Sequence, residues 1–538
     1  MKVVVTDPVA QAGLELLREA GHEVETAYDA AGDELLDAVR DANALIVRSG
    51  TDVTEAVFDA AEELVIVGRA GIGVDNIAID AATRHGVIVA NAPEGNVRAA
   101  AEHTVGMTFA AARSIPQAHG RLKDGEWAKS DYLGTELNGA TLGIVGLGRV
   151  GQEVAKRMDA LGMELLVHDP YINEERAAQF GAELVADLGT CLDRADVLTI
   201  HTPLLPETEG MIGREELDRL GDAILVNCAR GGIVDETALA AAADDGTLRG
   251  AAVDVFAEEP LPADSPLLDA DGVVVTPHLG ASTRAAQENV ARDTAEQILA
   301  AFRDEPVANA LNAPSLDEAA FPSVRPYVDV ADTAGRIAAQ LFDDRVGEIE
   351  VHYQGEIADE EVEFLTASAL RGVFAPLEYE VNAVNAPRIA EDRGVEVTES
   401  KTRQSEDFRS LVTVTVRGGD RELSVCGTLF AGEDPRIVRI DGYRVDARPY
   451  GQMLVARNRD EPGVIGFVGS VLGEAGVNIA GMYNARETRG GEALTVYNLD
   501  DSVPEAAIEE LLSDDRLVSV TQISLESANG ADDTEPCV

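Results

Sequence analysis

At 538 residues, 45% of them hydrophobic, the chain is long enough for three or four domains of about 150 residues each. It carries 97 acidic against 43 basic residues, a formal net charge of -54. A field of that sign repels nucleic acid and anionic membranes, which sets both aside as partners.

Residues 1–100 alternate strand-like runs (2–5, 24–26, 44–47, 65–68 and 87–90) with amphipathic helices. Such alternation predicts parallel βαβ units in a doubly wound sheet. Arg48 and Arg69 stand at two of the strand ends. Ligands of these sheets bind outside the carboxyl ends of the strands, so two guanidiniums there favour an anionic substrate. A mostly apolar helix over 99–114 leads into a second α/β region that runs to about residue 285. The loop 124–139 holds Trp127, the chain's only tryptophan, read as a packing or subunit-contact residue.

The stretch from Thr141 to Asp169 organises this region. An apolar run (141–145) meets the turn Gly146-Leu147-Gly148-Arg149-Val150-Gly151, then a helix with apolar Val150, Val154, Met158 and Leu161, then a second strand ending in Asp169. Gly146 permits the tight turn, Gly148 lets the backbone approach a pyrophosphate, and Gly151 lets helix and strand pack closely. The N–H groups of the helix start face the phosphates. Asp169 is placed to accept hydrogen bonds from the adenosine ribose. Its carboxylate would repel the extra phosphate of NADP, and although Arg149 could serve that phosphate, the balance favours NAD.

Three later segments carry polar residues at the ends of apolar runs: Arg230 and Asp235 in AILVNCARGGIVDE, Asp254, Glu258 and Glu259 in GAAVDVFAEEP, and His278 in GVVVTPHLGAST. The strand ends of one parallel sheet converge on the edge where the nucleotide lies. Arginine, carboxylate and histidine there suit oxidation of a 2-hydroxy acid. Histidine, with an ordinary pKa near ~6.5, takes the hydroxyl proton. A glutamate orients its ring, and arginine holds the substrate carboxylate.

The rest of the chain is quieter. A helix over 286–310 is expected to return to the first domain, and a proline-rich linker follows over 311–325. Residues 326–448 mix helix and strand without a chemical motif. Over 449–527 the order is βαββαβ, a ferredoxin-like pattern, and the acidic tail 528–538 is expected to be disordered. The four cysteines (Cys191, Cys228, Cys426, Cys537) show no paired spacing, which suits free thiols in a reducing cytoplasm. The start lacks a signal-peptide core, and no apolar run approaches the ~20 residues of a membrane span. With only five lysines among so many acids, the surface resembles that of proteins from a salt-rich cytoplasm, a halophilic character.

GRAGIGVDNI, GLGRVG, HTPLLPET, VNCARGGIVDE, DVFAEEP and PHLGAST together resemble the D-isomer-specific 2-hydroxyacid dehydrogenases. Over essentially the whole chain the likeness is to their long form with a C-terminal ACT domain, whose members oxidise 3-phospho-D-glycerate with NAD at the entry to serine synthesis. The resemblance implies two doubly wound Rossmann-like domains, an α+β intervening domain and a ferredoxin-like ACT domain. Their boundaries would be 1–98 plus 286–315 for substrate, 99–285 for NAD, 316–448 for the intervening domain and 449–527 for the ACT domain. It implies Arg230 as carboxylate anchor, Glu259 as partner of the histidine and His278 as acid–base. Asp254 would approach the nicotinamide amide. Arg149, Val150, Asp169, Thr202, Cys228, Ala229 and Gly280 match cofactor contacts, with Arg230 and His278 beside them. Arg48, Arg69, Gly71, Ile72 and Gly73 match substrate contacts, the arginines taking the 3-phosphate, and Lys129 sits where a neighbouring subunit contributes a cation. Asn458, Asp460 and Asn478 match the region where ACT domains take an amino-acid effector such as L-serine at subunit interfaces. Serine-inhibited members often carry histidine and asparagine where this chain has Asn458 and Asp460. A homo-oligomer, dimer or tetramer, is expected, and no metal. The alternatives are a glyoxylate or hydroxypyruvate reductase on the same scaffold and, from another class, a nucleotide-sensing corepressor-like protein. The intact acid–base set and the negative charge oppose the second.

Overall fold

The structure, a computed structural model, describes residues 1–314, 321–377, 381–405 and 407–525. The expected tail and Cys537 lie outside the described residues, as does part of the linker.

The first sheet contains β1 (Lys2–Val5), β2 (Glu23–Thr26), β3 (Ala44–Val47), β4 (Ile66–Arg69) and β5 (Ile88–Asn91) in the order β2-β1-β3-β4-β5. All its pairings are parallel. Ala-Leu-Ile-Val of β3 is buried throughout, as an apolar run covered on both faces must be. One cover is the helix Arg284–Phe302, which returns to this sheet. Gly68 makes room for it, because a Cβ there would come within 2.6 Å of Thr294. Gly13 lets the helix Gln11–Glu19 press against Ala291, whose carbonyl oxygen would lie 2.2 Å from a Cβ. The returning helix is shorter than the expected 286–310. Asp304 turns left-handed at φ 55°, and Glu305 precedes Pro306, where ring sterics disfavour helix. The chain then pairs Ala310 with Ala90.

The second sheet, also all parallel, contains β6 (Thr141–Val145), β7 (Glu164–His168), β8 (Ala182–Leu184), β9 (Val197–Ile200), β10 (Ile224–Asn227), β11 (Gly250–Val253) and β12 (Val273–Val275). Its order is β12-β11-β10-β9-β6-β7-β8. Strands run outward in both directions from β6, so the crevice at a reversal of strand order opens at the carboxyl end of β6. The helix Val97–Ala112 crosses into this unit and packs on it.

Residues 348–447 build a six-stranded mixed sheet: β13 (Glu348–Gly355), β14 (Glu396–Thr402), β15 (Ser410–Gly418), β16 (Arg421–Phe430), β17 (Asp434–Ile440) and β18 (Tyr443–Ala447). The helices Pro326–Leu341 and Glu363–Phe374 cover it. Gly335 and Gly372 let these two helices touch backbone to backbone, since a Cβ on Gly335 would lie 2.3 Å from the Ala369 carbonyl oxygen and one on Gly372 2.0 Å from that of Asp332.

The last sheet is antiparallel: β19 (Gln452–Arg459), β20 (Ile479–Arg486), β21 (Glu492–Leu499) and β22 (Leu517–Ser524), ordered β20-β21-β19-β22. With the helices Val464–Glu474 and Glu505–Leu512 it completes a βαββαβ unit. Strand alternation gives its two faces different partners. Leu454, Ala456, Tyr497 and Leu499 pack under those two helices. Met453, Val455, Leu494, Val496 and Ile523 share one core with Val330, Ile337, Val414 and Val425 of the preceding unit. Gln340 fastens the seam, donating to the Ser524 carbonyl at 3.1 Å and accepting from its N–H at 3.0 Å.

Candidate active site

The glycine turn has the geometry that its spacing predicts. Gly146 is left-handed at φ 92°, and its N–H donates to the His168 carbonyl at 2.9 Å. A Cβ on Gly151 would fall 2.3 Å from the Gly146 carbonyl oxygen. A Cβ on Gly148 would meet nothing within 4 Å, so this backbone faces open space at the start of the helix Arg149–Ala160. Of the helix's expected apolar positions Val154 and Met158 are buried, whereas Leu161 falls past its end and is exposed. Asp169 accepts from Leu147 N at 2.8 Å and Tyr171 N at 2.9 Å, which ties the acid to the turn. His201, beneath the turn, is pushed down to about 4 by burial and stays neutral.

A crevice of about 920 Å³ lies between the first two units. From the first come Arg48, Arg69, Gly71, Ile72 and Gly73. From the second come Arg149, Val150, Thr202, Cys228, Ala229, Arg230, Glu259, His278 and Gly280. Among the polar atoms of the crevice lining, two hydrogen-bond donors, Thr202 Oγ1 and Arg69 Nε, are buried without a partner, as is the acceptor Asn96 Oδ1. A buried donor left unpaired is costly, so both mark places where a ligand completes the bonding. The unfilled space over Gly148 and the free Thr202 hydroxyl suit a dinucleotide.

His278 sits after β12 with a left-handed φ of 52°, a conformation costing about 1–3 kcal/mol unless its surroundings hold it. Its Nδ1 lies 2.7 Å from Glu259 Oε2, while Glu259 Oε1 accepts from Phe256 N at 3.0 Å. Burial pushes the Glu259 carboxyl up, but the bonds from His278 and Phe256 outweigh it and leave the group below its ordinary value. An ionised carboxylate only accepts, so Nδ1 carries the proton and Nε2 is the free face of the ring.

Arg230 lies beyond the end of β10 rather than directly after it, with Nη1 donating to the Ala229 carbonyl at 2.7 Å. Its Nε reaches across the crevice to Asp75 Oδ2 at 3.2 Å. Burial, then repulsion from Arg230 and Arg48, pulls Arg69 down to about 10, so it remains charged at neutral pH. Three guanidiniums thus gather in one crevice of a strongly acidic protein.

The other expected residues sit as follows. Asp254 is fully buried, directly behind Gly280 of the crevice lining. Its carboxylate accepts from Thr276 Oγ1 (2.5 Å), Leu279 N (2.8 Å), Gly280 N (2.9 Å) and His103 Nε2 (3.0 Å), and its carbonyl accepts from His278 N at 2.9 Å. Asp254 therefore holds the His278 loop. Trp127 is 82% exposed and packs into no core among the described residues. It shares that exposure with Ile115, Leu122 and Leu133, and Lys129 lies in the short turn between them. Asn458 and Asp460 sit at one end of β19, bonded to Thr495 and to Arg486 with Gly490 N. Asn478 bonds Asp500 at the opposite end, beside Leu499, which pairs with Gln452. One protomer does not bring these three together.

Two residues escaped sequence reasoning. Asp75 lies inside the quoted GRAGIGVDNI motif, where a carboxylate two residues from the last glycine was the signal. His103 is one of a few polar residues in a mostly apolar helix. Among the described residues His103, Cys228 and Asp254 form a cluster of metal-ligand types. However, Asp254 is consumed by hydrogen bonds, and burial pushes the Cys228 thiol up to about 12, so it stays protonated.

A dinucleotide turn, an imidazole backed by a carboxylate and a facing guanidinium together define a D-isomer-specific 2-hydroxyacid dehydrogenase, and the NAD-binding domain of that class matches residues 105–280. The D-3-phosphoglycerate dehydrogenase intervening domain matches 323–441, and the ACT domain matches 452–515. D-3-phosphoglycerate dehydrogenase from Methanocaldococcus jannaschii is 43% identical, covering 98% of this chain and all of that one. The Archaeoglobus fulgidus enzyme of the same name is 42% identical over 98% of this chain and 100% of its own. A crystal structure of a Thermus thermophilus protein superposes with a TM-score of 0.55 at 35% identity, covering 58% of this chain and 100% of that one. The chain belongs to the D-3-phosphoglycerate dehydrogenase family. No helix among the described residues is long and apolar enough to cross a membrane.

Proposed function

We propose that this chain oxidises 3-phospho-D-glycerate to 3-phosphooxypyruvate with NAD, the first step of L-serine biosynthesis. The observation that carries the substrate is the buried, unpaired Nε of Arg69 beside Arg48 and Arg230. A substrate with an anion at each end suits three cations: Arg230 takes the carboxylate bidentately and Arg48 with Arg69 takes the phosphate. His278 Nε2 accepts the hydroxyl proton, while Glu259 fixes the tautomer through Nδ1 and stabilises the imidazolium that forms. NAD, held over Gly146–Gly151 with its ribose at Asp169, supplies the acceptor for the hydride. Thr202, Cys228, Ala229 and Gly280 shape its pocket.

Residues 1–98 with 286–315 then form the substrate side and 99–285 the cofactor side, with 316–448 and 449–527 as the regulatory portion of a cytoplasmic enzyme. The exposed face around Trp127 supports a homo-oligomer, dimer or tetramer, because docking a second copy there would take large apolar side chains out of water. Asn458, Asp460 and Asn478 come together only across two ACT domains, where an amino acid such as L-serine would bind. Asp460 is already paired with Arg486, so we expect weak serine inhibition.

A steady-state assay in molar salt with 3-phosphoglycerate and NAD, with and without L-serine, tests substrate, cofactor and effector together. Turnover is expected, with loss in His278→Ala; an unchanged rate in that variant refutes the acid–base assignment. Activity on hydroxypyruvate with none on 3-phosphohydroxypyruvate replaces the substrate by the unphosphorylated one.

A further inference from the structure

We propose that His103 is a positioning residue for the reaction, acting through Asp254 to hold the loop that presents His278. The inference rests on His278 being the acid–base group. His103 projects from the helix Val97–Ala112, with Nε2 3.0 Å from Asp254 Oδ1 and 3.3 Å from Thr276 Oγ1. Thr276 in turn donates to the same carboxylate. The other two donors to Asp254 are the N–H groups of Leu279 and Gly280, directly after His278. The peptide on each side of the left-handed histidine is therefore fixed to one acid: His278 N to its carbonyl, Leu279 N and Gly280 N to its carboxylate.

The chemistry of the acid decides what His103 does. Burial raises the Asp254 carboxyl, but the bonds from His103, Thr276 and Leu279 overcome it and keep the group below its ordinary value. An ionised carboxylate only accepts, so His103 Nε2 must be the donor. Removing that donor leaves a buried charge short of one partner in four, and such a group recovers solvation by moving or by taking up a proton. Either response slackens its hold on Leu279 and Gly280. Small displacements of a catalytic group are costly in rate, because near-attack geometry is narrow.

The test compares His103→Leu, which removes the donor, with His103→Gln, whose amide can restore one. In the full-length enzyme His103→Leu is expected to lower kcat by about tenfold or more while leaving KM for NAD and phosphoglycerate within about twofold. The isotope effect with C2-deuterated substrate should rise, and His103→Gln should recover most of the rate. Hydrogen exchange over residues 276–283 should quicken in His103→Leu; this reads the clamp without turnover and so separates its failure from failure of the proposed reaction. Thr276→Val, which removes a second donor to the same acid, should act in the same direction. Unchanged kcat and exchange in His103→Leu, or a Gln variant no better than Leu, overturns the proposal. Stoichiometric zinc in the purified enzyme does so too, because His103, Cys228 and Asp254 would then be ligands.

Discussion

Asp75 is, with Asp7, one of two carboxylates set against three guanidiniums, and its bond to Arg230 Nε spans the two halves of the crevice. A partly exposed ion pair of this kind adds only about 0–1 kcal/mol to stability, so its value is orientation. It occupies Nε and turns the rest of the fork toward the substrate. Asp75→Asn should lower kcat/KM with little change in melting temperature, and the loss should be non-additive with Arg230→Lys. Additive losses in that double-mutant cycle would separate the two residues. Acid has a second effect at this scale. Glu259 and Asp254 both lie below their ordinary values. Their stabilisation is complete above the ordinary carboxylate range and disappears as pH falls through the lower folded values. Urea midpoints measured against pH should fall on the acid side, less steeply in Asp254→Asn. Sequence drew attention to Arg230 and His278 because they follow apolar runs, whereas only the family resemblance singled out Glu259 from Glu258. Nor did sequence show the hold of Asp254 on the His278 loop, because position at a strand end does not say which backbone N–H groups a carboxylate will meet.

Among elements, the glycine turn was read almost entirely from spacing, since backbone torsion and close packing each leave a residue-type signature. The structure also separates what the three glycines do. Gly148→Ala should preserve the melting temperature and weaken NADH binding, because its Cβ enters only open space, the space a bound dinucleotide's phosphates would take. Gly151→Val should cost stability as well, because its Cβ meets the Gly146 carbonyl. Calorimetry and NADH titration distinguish the two; equal loss of binding and fold in both variants would overturn the distinction. Strand positions drifted by a residue, as with β4, which includes Arg69 where the sequence ended the run at Gly68. The length of the helix Arg284–Phe302 was overread because the turn at Asp304 has no glycine to announce it.

For the whole molecule, net charge sets the expectation. With -54 in formal charge, self-repulsion opposes the compact state, and salt shortens its range to about 10 Å at 0.1 M. The melting temperature should climb steeply from dilute buffer to molar potassium chloride; a flat curve would remove the case for a salt-adapted surface. The seam between the last two units was not legible at all. β19 and β21 are buried on both faces, but an apolar pattern names a buried face without naming what buries it.

That seam bears on how the chain can be cut. A protein ending near residue 448 would leave Val330, Ile337, Val414 and Val425 without the strands that roof them, and would be expected to clump rather than to survive as a smaller, unregulated enzyme. The final module is less a removable appendage than the lid of its neighbour's interior, so whatever strains it at one end is felt by the helix Pro326–Leu341 at the other.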